Sequence, residues 1–151
     1  MKRCLLAVAV VVLLGASDKK DPVKEELKKL QGDWKATKVT YNGEALSDDA
    51  TGKITMKLKG DTAQVGANKS IKGEYTKVQF KIDPSVTPKS MDVTIIAGGQ
   101  KGATMEGIYK LEKDRLTICA KVLGMDRPTK FESPAGESIV LIVLEKQKKD
   151  E

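Results

Sequence analysis

Between Lys53 and Gly60 the chain reads KITMKLKG, with Ile54, Met56 and Leu58 on one side and lysines or threonine on the other. A period of two sends successive side chains to opposite faces, so this stretch is a strand with one buried face. Related patterns recur along most of the chain. WKATKVTY, Trp34 to Tyr41, runs into Asn42-Gly43, a strong hairpin-turn signal. Gly60-Asp61 turns into TAQVGA, and Asn68-Lys69 leads into SIKGEYTKVQFKID. There the apolar phase slips between Tyr75 and Val78, which predicts a bulge. MDVTII alternates again before Gly98-Gly99, ATMEGIYKL and RLTICA flank a tight EKD hairpin, and SIVLIVLEK is apolar at every position from Ile139 to Leu144.

Ahead of these strands the period changes. In PVKEELKKL, Val23, Leu27 and Leu30 fall at i, i+4 and i+7, the stripe of a short amphipathic helix. Pro22 suits its first turn, Glu25 and Glu26 suit its positive end, and Gly32 stops it. One short helix and eight strands with short connections predict an all-β protein, an eight-stranded up-and-down antiparallel barrel. A two-sheet sandwich is the alternative architecture. Apolarity on both faces of the last strand requires cover on both sides. The expectation is that one face lines the barrel and the other lies beneath the helical stripe.

The opening segment, MKRCLLAVAVVVLLGASDKK, changes the expected compartment. Lys2 and Arg3, the apolar run Leu5 to Leu14, and the small residues Gly15, Ala16 and Ser17 have the form of a secretory signal peptide. The run is too short for the ~20 apolar residues that span a bilayer. The expected organisation is a signal peptide over 1–17, a tether and helix over 18–29, a barrel over 30–146 and a polar tail over 147–151. The expected localisation is periplasmic or extracellular, with no stable membrane insertion after cleavage. Loss of Cys4 leaves Cys119 as a single thiol, so the barrel relies on its core rather than a bridge, and a monomer is expected. The full chain carries 27 basic and 21 acidic residues and no histidine. Arg115 and Arg127 are the only arginines beyond the signal, and the aromatics are dispersed. That distribution favours a solvated lysine surface over a nucleic-acid interface.

A short N-terminal helix followed by LQGDW, with Gly-x-Trp opening the first strand, resembles the lipocalin or calycin pattern. Together with YNGEAL, GIYKLEKDRLTIC, RPTKFES and ESIVLIVLEK, it is similar to an uncharacterised family of exported lipocalin-like domains described mainly from planctomycete bacteria. The resemblance runs from Leu30 to about Lys146. It implies a fold and a compartment but no established activity. It further implies that Trp34 plugs the closed end of the barrel, with Gly32 passing tightly beneath it. The indole would be covered by Lys146, where lipocalins usually carry an arginine.

Candidate chemistry is sparse. Without histidine there is no Ser-His-Asp or Cys-His system and no imidazole metal site, so no enzyme activity, cofactor or metal is expected. Asp48-Asp49 and Glu25-Glu26 read as solvated loop and cap residues rather than a catalytic pair. GGQKGAT lacks the ending of a phosphate loop and reads as a hairpin turn, and NKS at Asn68 also reads as a turn. Met56, Tyr75, Met105 and Tyr109 lie on the apolar phase of their strands. They line a ligand cavity or fill an ordinary core, since eight strands permit either. Strand counting places the long connections, Asn42 to Gly52 and Lys121 to Glu137, at the mouth opposite Trp34. Arg127, in DRPTKFES, then reads either as an anchor for an anionic head group or as a loop residue paired with Asp126 or Glu132. The leading expectation is a non-enzymatic exported module that sequesters a small apolar or anionic amphipathic ligand. A secreted protease inhibitor using SDKKDPV as its reactive arm, and a structural envelope protein, are the alternatives.

Overall fold

The computed structural model describes residues 20–67, 76–122 and 126–148. Helix α1 (Pro22–Leu30) is capped by Asp21, whose carboxylate accepts from the Val23 amide at 3.0 Å, and proline opens its first turn. Among the described residues nine strands follow: β1 (Gly32–Tyr41), β2 (Glu44–Ala45), β3 (Ile54–Lys59), β4 (Thr62–Ala67), β5 (Thr76–Asp83), β6 (Lys89–Ala97), β7 (Thr104–Glu112), β8 (Arg115–Lys121) and β9 (Ile139–Lys146). A four-residue helical turn, α2 (Asp48–Thr51), interrupts the β2–β3 connection.

β1 and β3 to β9 pair antiparallel in chain order, and β1 pairs back onto β9 from Trp34↔Lys146 to Tyr41↔Val140. This is the eight-stranded up-and-down barrel expected from the alternation, lipocalin-like and closed rather than split into a sandwich. Closure satisfies the backbone groups that open sheet edges would expose. β2 is a two-residue addition that extends the Asn42-Gly43 hairpin along β1. Both turn residues have positive φ, 52° and 86°, which explains the Asn-Gly pair.

Two irregularities adjust the facing of the strands. Ala36 pairs with Leu144 and Lys38 with Val143, leaving Thr37 as an extra residue in β1. Trp34 and Ala36 therefore point inward on one phase and Val39 on the next. Between β5 and β6 the register shifts at Lys77 and Val78, opposite Ala97 and Ile95. The slip near Val78 thus has its extra residue, Ile96, on the partner strand. Tyr75, like the signal segment and Asn68, lies outside the described residues.

The core has two parts. The main cluster lies inside the barrel and includes Leu30, Trp34, Phe80, Met91, Tyr109 and Leu144, with Val23 and Leu27 packed against it. Helix α1 therefore seals one end of the barrel and does not cover the outer face of β9, which corrects the sequence expectation. A smaller cluster of Ile108, Cys119 and Ile139 lies on the outer wall, covered by Phe131 from the β8–β9 connection. The Cys119 thiol donates to the carbonyls of Lys130 and Glu132, both at 3.4 Å. β9 reads apolar on both faces because its own preceding loop folds down over it. An α-helix and a loop aromatic supply equivalent apolar area, so hydrophobicity cannot distinguish these covers.

At the sealed end Trp34 is 1% exposed, and its indole N–H donates to the Leu30 carbonyl at 2.9 Å. The Lys146 ammonium lies 5.3 Å from the centre of the indole and donates to Lys29 O, a last-turn carbonyl of α1, at 3.1 Å. Gly32 has φ of +123°, and a Cβ there would stand 3.1 Å from Lys146 Cε. Gln31 ties the helix to the β3–β4 turn, donating to Leu27 O and Gly60 O and accepting from the Gly60 amide.

Candidate functional site

The barrel holds a partly open cavity of about 230 Å³; among the described residues fifteen line it, and of these Thr76 alone has a polar side chain. Its existence follows from side-chain volume. Ala63 on β4 and Ala120 on β8 point inward where larger residues would fill the lumen. Gly107 is forced, because a Cβ there would meet the Cys119 carbonyl at 2.8 Å and the Ala120 methyl at 3.0 Å. Met56, Val65, Val93, Met105, Val140 and Ile142 line the cavity yet are only half-buried, since the space in front of them is empty. An apolar cavity of this kind offers water few hydrogen-bond partners and remains available to an apolar guest.

Beneath the cavity lies a polar cluster on the floor. Glu26 of α1 is 5% exposed, forms an ion pair with Lys89 at the start of β6, and lies 3.5 Å from Lys29 and from the Tyr109 hydroxyl. Burial pushes the Glu26 carboxyl up, but the hydrogen bond and charge of Lys89, aided by Lys29, outweigh it and hold the carboxyl below its ordinary value. Desolvation, reinforced by the Glu26 charge, pushes the Tyr109 hydroxyl well above the usual tyrosine range. Glu26 is thus a buried member of the helix–barrel contact, correcting its reading as a solvated cap residue. Its spacing carried the signal, since position 26 lies between Val23 and Leu30 on the apolar stripe. Glu25 does stay at the helix surface, paired with Lys28 at 3.1 Å.

The structure divides the sequence candidates. Met56 and Met105 face the cavity, together with Met91, whose place on the apolar phase of MDVTII carried the same signal without being singled out. Tyr109 pairs with Lys89 and belongs to the floor, so its expected role as a lining residue is corrected. Arg127 is corrected as well. It lies across the outer wall, paired with Asp92 at 2.7 Å and Glu106 at 3.6 Å, and donates to the Gly107 carbonyl at 2.8 Å. Asp92 and Glu106 are cross-strand partners partway along β6 and β7, so the guanidinium clamps the connection against the barrel rather than guarding its mouth. Neither Asp126 nor Glu132 is its partner; Asp126 approaches Lys121 at 4.0 Å. Strand directions put the long connections at the end opposite α1, but the Arg127 and Phe131 portion turns down the wall. Burial raises the Cys119 thiol above its ordinary value.

Among the described residues no group of three or more histidine, cysteine, aspartate or glutamate side chains is placed to hold a metal ion, and no helix is long and apolar enough to cross a membrane. Comparison of the chain with protein-family models, curated proteins and solved structures gives no match.

Proposed function

We propose that the protein is a non-enzymatic exported binding module that sequesters a small apolar ligand inside its barrel. The supporting observation is the cavity of about 230 Å³, whose lining among the described residues carries a single polar side chain. A binding site that is already formed needs little reorganisation on association, which favours affinity from modest contact area. A protease inhibitor acting through its N-terminal arm needs only a solid scaffold, so the cavity favours the sequestration reading. Export is part of the proposal and rests on the signal-like segment over 1–17. The resemblance of the sequence to exported lipocalin-like domains supports the export part of this reading.

The test is a titration of the purified protein with 1-aminonaphthalene, a two-ring probe whose emission moves to shorter wavelength in apolar surroundings. Saturable one-to-one binding is expected, and Val93→Phe, which projects a ring into the cavity, should weaken it at least about tenfold while preserving the fold. Absence of saturable binding, or unchanged affinity in V93F, would count against the barrel as the site. The mass of the protein recovered from its own host tests cleavage near Ser17.

A further inference from the structure

We propose that the cavity selects a neutral aromatic ligand of one or two fused rings, gripped by the thioethers of Met56, Met91 and Met105. The inference rests on the sequestration reading and names its ligand class. Met56 lies on β3 and Met105 on β7, four strands apart in the closed eight-strand order and so on opposing walls. Met91, on β6, pairs in register with Gly107, two residues along β7 from Met105. Phe80 contributes a ring to the same lining.

Methionine sulfur is polarisable and makes favourable contacts at the edges of aromatic rings, a gain that a saturated hydrocarbon does not receive. Three unbranched, adaptable side chains on opposing walls can close on a flat guest from both sides. The volume sets the size. An apolar cavity of about 150 Å³ accommodates benzene, and this one, at about 230 Å³, is roughly half as large again. Two fused rings carry about ten carbons against six, the same order of increase. The apolar lining also sets the charge, since an ionised group inside it would lose hydration without compensation. Arg127 offers no counter-charge to the interior, because it is engaged with Asp92 and Glu106 on the outer wall.

The decisive experiment titrates the full chain, labelled with methyl-¹³C methionine, with naphthalene and separately with decalin, its saturated counterpart. Naphthalene should shift the methyl resonances of Met56, Met91 and Met105 by ring current, and decalin should not. The affinity ratio of naphthalene to decalin should fall at least about threefold in Met56→Leu/Met91→Leu/Met105→Leu, a comparison that cancels the unequal water solubility of the two ligands. If the triple variant does not fold, protein carrying norleucine in place of methionine serves the same comparison. An unchanged ratio with both ligands bound would overturn the aromatic preference and leave sequestration standing. Failure of both ligands to bind would overturn both proposals.

Discussion

Replacing Lys89 by methionine isolates the electrostatics of the barrel floor. The Glu26 side chain is 6% exposed and that of Lys89 is 37% exposed, so the pair is buried on one side only. In Lys89→Met the carboxylate keeps one cation, Lys29, 3.5 Å away and largely in water, together with the Tyr109 hydroxyl at 3.5 Å. Stranding a fully buried charge costs about 3–5 kcal/mol. The exposure of Lys89 and the residual Lys29 interaction reduce this to about 2–3 kcal/mol. Glu26→Gln is milder, at about 1 kcal/mol, because Lys89 can turn to solvent and no buried charge remains. The pH dependence separates electrostatics from packing. In the parent protein Glu26 titrates below its ordinary value of 4.5, so its stabilisation is complete above that pH and fades as pH falls through the lowered native value. In Lys89→Met, burial is opposed by little charge and the native carboxyl titrates higher than when unfolded. The variant therefore recovers part of its deficit as the carboxyl protonates, and its gap to the parent narrows from pH 7 to pH 4. Urea unfolding followed by Trp34 fluorescence measures each free energy, since the single tryptophan is buried beside the helix. A Lys89→Met cost no larger than that of Glu26→Gln, or a gap independent of pH, would refute the reasoning.

Leu30→Ala removes a fully buried side chain where α1 meets the barrel and should cost about 2–4 kcal/mol in the same assay. Cys119 should react slowly with a thiol reagent in the folded protein, and Phe131→Ala should accelerate the reaction at least about tenfold by uncovering the outer wall. Reaction of the parent protein at the rate of an exposed thiol would contradict that cover. Because the native Tyr109 hydroxyl is raised above its ordinary 10.0, the unfolded chain ionises first and stability falls as pH rises past that value. Tyr109→Phe should flatten this part of the alkaline limb relative to the parent, and identical limbs would show that Tyr109 does not contribute.

The sequence by itself determined the strands, their order and much of their facing. Alternation placed Met56 and Met105 on inner faces, Asn42-Gly43 marked a turn that requires positive φ, and the short connections favoured an up-and-down path. These features depend on neighbours close along the chain, where a period of two or a glycine has a direct steric consequence. Tertiary structure decided what each face meets. The outer side of β9 was legible as covered, but the choice of Phe131 over the helical stripe came from the path of the β8–β9 connection. Arg127 was legible as a rare arginine, yet its partners Asp92 and Glu106 lie 35 and 21 positions away in sequence and meet it only because that connection crosses β6 and β7. The cavity belongs to the same class. Ala63 and Ala120 are unremarkable in their own strands, and they leave room only because barrel closure brings their small side chains around one lumen. Alternation assigns a side chain to a face, whereas empty volume is set by the combined sizes of residues that only the closed sheet assembles.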